Sequence, residues 1–320
     1  MAVRVLVTGG TGYLGGALVR ALAQRGDDVV AFSRHAPAQT QTALPGRLAY
    51  VAGDIRDRAA IARAADGVDA ICHVAALVSI WRPRASEFDE VNVTGLLNVV
   101  DVCRALRIPR LVYTSSFLAL PPAGRSEPLR ANDYQRTKTA ADAMARAAAR
   151  DVPMVTLYPG VIYGPGAATE GNLVGRLVTD HLAGRLPGIV GADHTWSFTY
   201  IDDVLAAHVG ALNGDVCGRE LTIGGENSPL MRLFEILQDR LGVRLPRRIP
   251  SAAAYAIGAI EEVRARVTGR PPLLTRGAVT IFCHDWPLEG SVAARLLGYS
   301  MTPLSAGMDL TLPSLRREPR

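Results

Sequence analysis

The sequence predicts an α/β fold: a doubly wound parallel sheet with helices on both faces, followed by a smaller, mostly helical C-terminal layer. Short β-branched runs alternate with helical patterns through the first half, and such alternation builds a parallel sheet with right-handed crossovers. A glycine-rich turn separates the first run from the first helix, and the alternation stops after Tyr158. With 320 residues, 48% of them hydrophobic, the chain can bury the core of one or two globular domains.

Val3, Val5, Leu6 and Val7 open a strand that runs into Thr8-Gly9-Gly10-Thr11-Gly12-Tyr13-Leu14-Gly15, and Leu18, Leu22 and Ala23 carry a helical period on to Gly26. Strands are expected at 29–33, 48–51 and 70–74, with a helix at 59–65. A long helix at 87–106, a fifth strand at 110–115, a helix at 134–150 and a sixth strand at 154–158 complete the first half. Beyond Tyr163-Gly164-Pro165-Gly166, helical patterns at 172–182, 202–212, 230–241 and 252–267 are separated by short loops. A layer of this kind belongs over the carboxyl ends of the strands, where an open parallel sheet binds its ligand.

Composition narrows the partners. No apolar run reaches the roughly 20 residues of a membrane helix and no leader pattern precedes the first strand, so the expectation is a cytoplasmic protein with no membrane partner. Cys72, Cys103, Cys217 and Cys283 are too far apart for a metal or redox motif and read as small core residues. The net charge is +5, but the arginines are scattered, so no nucleic-acid partner is expected; the tail Arg316–Arg320 reads as frayed. Of the 35 basic residues only Lys138 is a lysine. A chain that uses arginine wherever a surface cation will do keeps its one ammonium where arginine would not serve.

Gly9, Gly12 and Gly15 form G-x-x-G-x-x-G between strand and helix. Gly9 permits the tight turn, Gly12 admits a pyrophosphate to the backbone amides, Gly15 lets helix pack on strand, and the helix N-terminus supplies positive potential. This is the Rossmann arrangement for a dinucleotide. At the end of the second strand, where an NAD site places a carboxylate for the ribose, stand Ser33 and Arg34; a hydroxyl and a guanidinium suit a 2′-phosphate and favour NADP over NAD. Asp54 either accepts from the adenine amino group or caps the helix that follows.

Tyr134-Gln135-Arg136-Thr137-Lys138 sets a phenol and an ammonium at i and i+4, on one helical face. A nearby cation favours the phenolate and would tune the phenol toward neutrality. With nine tyrosines in 320 residues, one standing four before the only lysine is a rare coincidence. Lysine also suits ribose hydroxyls, being a compact charge on a flexible stem. Ser116, ending Tyr113-Thr114-Ser115-Ser116, either holds a carbonyl oxygen in line with the tyrosine or caps a turn.

Taken in order, the glycine loop, Asp54, His73-Val74-Ala75-Ala76, Ser116 and Tyr-x-x-x-Lys resemble the extended short-chain dehydrogenase/reductase family, of the NAD-dependent epimerase/dehydratase type, over essentially the whole chain. The resemblance implies Ser116, Tyr134 and Lys138 as catalytic residues. It implies cofactor contacts from Gly9, Thr11, Gly12, Tyr13, Leu14, Asp54, Ile55, Val74, Ala75, Ala76, Thr114, Pro159, Gly160 and Val161, and a lysine-supporting role for Asn92. His73 reads as structural. It also implies a dinucleotide-binding domain from 1–165 with 196–222, a substrate region from 166–195 with 223–320, and a possible homodimer through helices 87–106 and 134–150. Tyr158-Pro159-Gly160, Gly269-Arg270-Pro271-Pro272 and Leu297-Gly298-Tyr299 are similar to the dihydroflavonol-reductase and 3β-hydroxysteroid-dehydrogenase branch.

Substrate class is read from Trp196-Ser197-Phe198. Nucleotide-sugar members of the family usually carry an arginine there to grip a diphosphate, and Trp196 brings an apolar surface with one donor instead. Trp81, Phe117, Leu118, Leu120 and Tyr163 are candidate further walls, and Arg176 or Arg185 a candidate phosphate contact. The expectation is an NADP(H)-dependent oxidoreductase acting on a carbonyl or secondary alcohol of a hydrophobic small molecule. The alternatives are a nucleotide-sugar epimerase or dehydratase that retains its NAD(P), and a non-catalytic NADP-binding redox sensor, which would need neither Ser116, Tyr134 nor Lys138.

Overall fold

The computed structural model describes residues 2–37 and 44–315; the tail Arg316–Arg320 lies outside them. In chain order, β1 (Arg4–Thr8), α1 (Tyr13–Arg25), β2 (Asp28–Ser33), β3 (Leu48–Ala52), α2 (Arg58–Ala64), β4 (Ala70–His73), α3 (Ser86–Asp89), a π-helical turn at Glu90–Thr94, α4 (Gly95–Leu106), β5 (Leu111–Thr114), α5 (Asp133–Ala148) and β6 (Met154–Pro159) form the first half. Then come β7 (Val161–Tyr163), α6 (Leu173–Leu182), β8 (Thr195–Tyr200), α7 (Ile201–Asn213), β9 (Glu220–Ile223), β10 (Glu226–Pro229), α8 (Met231–Leu241), α9 (Ser251–Thr268), α10 (Arg276–Phe282), α11 (Ser291–Leu297) and α12 (Leu304–Leu315).

The central sheet has seven strands in the order β3-β2-β1-β4-β5-β6-β9, all parallel. The middle strands read as continuous apolar runs because helices cover both faces: one core cluster joins Val5, Val7, Val29, Cys72, Val112 and Val155 to α1 and the C-terminal layer, and another joins Leu6, Val30, Ile71 and Leu111 to α2, α4 and α5. Thr195–Tyr200 pairs with β7 and β10 in a separate three-stranded sheet, and the central sheet is completed by β9. Cys72 and Cys103 are buried as expected, but Cys217 is exposed.

The long helix expected at 87–106 is interrupted by the π-helical turn, and α10, α11 and α12 carried no clear periodic signal: the first two have seven residues each and the third contains Pro313. A π-turn adds a residue to the helical ring and turns the side chains that follow. Here it carries Asn92 inward toward α5.

Candidate active site

Along the carboxyl ends of β1, β2, β4, β5 and β6 runs a cleft of about 860 Å³. Its floor begins at the glycine loop. Gly9 sits at φ +72°, and a Cβ there would come within 2.9 Å of the Ala75 backbone; a Cβ on Gly15 would lie 2.1 Å from the Gly9 carbonyl oxygen. The Gly9 and Gly10 amides donate to the Phe32 carbonyl at 2.8 and 3.2 Å, folding the loop over β2. Side chains cap α2, α5 and α6 (Asp57, Asn132 and Asn172), but none caps α1, and no acid stands in its first turn. Its first-turn amides face the cleft unoccupied by side chains, as a pyrophosphate requires.

Thr11, Tyr13, Leu14, Ser33, Arg34, Asp54, Ile55, Val74, Ala75, Ala76, Thr114, Pro159, Gly160 and Val161 all line the same cleft, with Gly9 and Gly12. The Ser33 hydroxyl donates to the His35 carbonyl at 3.0 Å, which fixes the turn that carries Arg34. Asp54 is not the helix cap: Asp57 takes the Ala59 and Ala60 amides, while Asp54 accepts from the backbone and guanidinium of Arg56 and is held below the usual carboxylate range by that side chain.

The edge of β4 is set by Thr8. Its Oγ1 accepts the Val74 and Ala75 amides at 3.2 and 3.3 Å, so its own hydrogen points to Nδ1 of His73 at 2.8 Å. That fixes the neutral tautomer of His73, and burial lowers the ring to about 3. His73 stacks on Tyr113 and lies outside the cleft lining. It is a structural histidine.

Ser116, Tyr134 and Lys138 meet in the middle of the cleft. Ser116 starts a short 3₁₀ turn, its Oγ accepting the Leu118 amide at 3.2 Å. Capping uses a lone pair and leaves the hydroxyl hydrogen for another acceptor, so both readings of this serine hold geometrically. Lys138, 3% exposed, donates to the Thr114 carbonyl at 3.1 Å and lies 5.3 Å from the centre of the Tyr113 ring. Burial lowers its ammonium to about 8, with Asp142 pulling the other way. The expectation that Lys138 draws the Tyr134 phenol toward neutrality fails in this arrangement. Burial pushes the phenol up to about 12, and the opposing influence is the Ser116 hydroxyl, because the ammonium is turned to Thr114 and Tyr113.

Asn92 supports the lysine indirectly. Its Oδ1 accepts the Leu77 amide at 2.7 Å and its Nδ2 donates to the Thr137 hydroxyl at 3.0 Å, tying the strand-end loop to the residue before Lys138. Asp142 was missed in the sequence, although it stands four residues after Lys138 on the same helical face. It is 5% exposed, accepts from the Tyr158 hydroxyl and pairs with Arg146 at 3.1 Å.

At its other end the cleft is walled by Phe117, Leu118, Trp196, Ala278, Ile281 and Phe282. Trp196 stacks on Phe282 at 5.0 Å between ring centres, and Phe117 meets Trp196 and Trp286 edge-on. The Trp196 indole N–H is buried without a partner among the described residues. Three expected walls, Tyr163, Trp81 and Leu120, lie outside the lining. Tyr163 is fully buried against α12, where a Cβ on Gly307 would reach within 2.2 Å of its hydroxyl, and Ile162 lines the cleft in its place. Trp81 is not a lining residue, whereas its neighbours Ile80 and Arg82 are. Ser79 and Arg82 bind Glu170 at 3.1 and 2.9 Å, which joins the loop after β4 to the loop before α6. Leu120 and Arg185 lie outside the lining, whereas Arg176 is part of it. Phe282 and Ala278 were missed because α10 was not read as a helix.

A cleft that offers a dinucleotide an uncapped helix and, deeper in, a half-buried phenol beside a hydroxyl is that of a nicotinamide-dependent oxidoreductase. The chain belongs to the NAD dependent epimerase/dehydratase family, whose family model matches residues 5–224, and its relatives are extended short-chain dehydrogenases/reductases. It is 35% identical to the 2-alkyl-3-oxoalkanoate reductase of Stenotrophomonas maltophilia over 92% of this chain and 94% of that protein. It is 32% identical to sterol demethylase protein B of Methylococcus capsulatus over 80% of each. Among solved structures, that of gox2253 superposes with a TM-score of 0.79 at 26% identity, covering 98% of both chains.

Proposed function

We propose that the protein is an NADP(H)-dependent oxidoreductase that interconverts a carbonyl and a secondary alcohol on an apolar small molecule. The observation that carries this reading is the aromatic, uncharged wall of Phe117, Trp196, Ile281 and Phe282 in the same cleft as Ser116 and Tyr134. The name of the Stenotrophomonas relative, a reductase of an alkyl-substituted oxoalkanoate, supports it.

The nicotinamide cofactor supplies the hydride donor or acceptor. The chain supplies everything around the substrate oxygen. The Ser116 hydroxyl donates to that oxygen and holds it beside the Tyr134 phenol. At neutral pH the phenol keeps its proton, so in the reducing direction it is ready to deliver that proton to the oxygen as negative charge develops. Lys138, still mostly protonated at neutrality, adds positive charge behind the tyrosine and suits a ribose hydroxyl. Arg34 at the end of β2 suits a 2′-phosphate, which is the ground for preferring NADP.

Calorimetric titration tests the substrate class. With NADP present, UDP, UDP-glucose and dTDP-glucose should give no saturable heat. Micromolar binding of any of them would replace this reading with a nucleotide-sugar epimerase or dehydratase.

A further inference from the structure

Tyr134, Lys138, Asp142 and Arg146 follow one another at intervals of four along α5, so each neighbours the next on the helix surface. After the phenol the row alternates in charge: ammonium, carboxylate, guanidinium. It also runs outward. Lys138 and Asp142 are 3% and 5% exposed, whereas Arg146 is exposed and reaches Glu220, at the start of the edge strand β9, at 2.9 Å.

A buried carboxylate is costly unless it is held. Asp142 is held from two sides, by the Tyr158 hydroxyl on β6, which donates to it, and by Arg146 at 3.1 Å. Neither partner explains why a charge is kept there. A neutral amide would accept from Tyr158 equally well, and Arg146 already has Glu220 at the surface. What an amide would not supply is a negative charge one turn from a buried ammonium.

Desolvation drives a lone buried ammonium toward its neutral form. The groups that other elements pack against Lys138 carry no charge to oppose this: the Thr114 carbonyl and Tyr113 ring of β5, and on β4 the neutral His73 stacked on that ring. On α5 itself Tyr134 keeps its proton at neutral pH. Among the described residues the opposing influence is Asp142, with Glu220 farther out beyond Arg146. Asp142 lies outside the cleft lining.

We propose that Asp142 is a positioning residue: acting through Lys138, its carboxylate keeps the ammonium at the cleft charged. The use made of that charge rests on the oxidoreductase reading above, whereas the charge itself can be measured without any reaction.

The test exploits the single lysine of the chain. Lysine labelled with carbon-13 at Cε gives one side-chain signal, whose shift follows the protonation of Lys138 directly. In the unmodified protein it should titrate near pH 8. A midpoint below about pH 6, that of a buried lysine without a partner, would overturn the inference. Asp142→Asn keeps an acceptor for Tyr158 and removes the charge. It should raise the proton dissociation constant of Lys138 at least about tenfold, and steepen the fall in kcat/KM between about pH 6 and about pH 8 at least about fivefold. Asp142→Glu should hold both near their unmodified values. Tyr158→Phe, which removes the hydrogen bond and leaves the charge, should not lower the midpoint. An unchanged midpoint in Asp142→Asn, or an equal drop in Tyr158→Phe, would show that Asp142 serves packing alone and would overturn the inference. A midpoint that shifts as expected in a protein that oxidises no NADPH would uphold it and remove the oxidoreductase reading instead.

Discussion

Thr114 is where the constraints on the site meet. Its carbonyl receives the Lys138 ammonium at 3.1 Å, and its hydroxyl bonds the His208 ring at 2.8 Å. The ammonium is held, 3% exposed, between the Thr114 carbonyl and the Tyr113 ring, and a planar guanidinium would not follow the same geometry. Lys138→Arg should therefore fail in steady-state assays despite keeping its charge. Tyr134→Phe should lose at least about a hundredfold in kcat while cofactor affinity, read by fluorescence titration, barely changes. Wild-type-like rates in either variant would remove the proposed chemistry. At the other end of the cleft, Arg34→Ala should weaken NADPH binding by about 1.5 to 3 kcal/mol and leave NADH nearly untouched. Equal titration curves for NADH and NADPH in the unmodified protein would show that Arg34 holds no phosphate. The sequence displayed this part of the site well, because the chemistry leaves its mark as a lone lysine, a spacing of four and three glycines. The direction in which the ammonium points left no such mark, and only packing against Tyr113 and Thr114 sets it.

Helix α7 meets the sheet through a buried histidine. Nδ1 of His208 donates to the Val204 carbonyl at 2.7 Å, so Nε2 carries no hydrogen and accepts from the Thr114 hydroxyl. Burial lowers the ring to about 4. Because the folded state binds the proton less readily than the unfolded chain, whose histidine titrates near 6.5, this contribution is complete above about pH 6.5 and is lost as pH falls toward 4. Between about pH 7.5 and about pH 5 it amounts to roughly 2 kcal/mol. In urea unfolding, His208→Gln should show a smaller loss of stability over that interval than the unmodified protein, by about that amount; equal losses would contradict a neutral buried ring. Elements such as β1, α1 and α5 were legible because one period runs through each. The π-turn at Glu90–Thr94 and the seven-residue α10 were not, since a local change of helical ring size and a helix of two turns are decided by tertiary packing. With α10 went Ala278, Ile281 and Phe282, three of the six residues that wall this end of the cleft.

For the molecule as a whole, the cleft joins two regions with different legibility. Its cofactor side is built from strand ends in regular succession; its substrate side is assembled from β8, α6 and α10, far apart in sequence, and there Trp81 and Tyr163 were misplaced while Phe117 and Trp196 do line the cleft. We also propose that α4 and α5, which leave Leu97, Leu106 and Met144 exposed, pair with a second copy. Light scattering should then give a mass near twice 34.1 kDa at micromolar concentration, and the single-chain mass would dismiss the dimer. The central claim concerns the cleft itself. A reductase consumes its cofactor, whereas an epimerase returns the hydride and shows no net change. The direct measurement is optical NADPH consumption with a series of ketones of increasing alkyl length. The account predicts oxidation stoichiometric with ketone lost, with kcat/KM rising about fourfold for each added methylene that reaches the Trp196–Phe282 wall. No net oxidation with any ketone, together with interconversion of a nucleotide sugar, would contradict it.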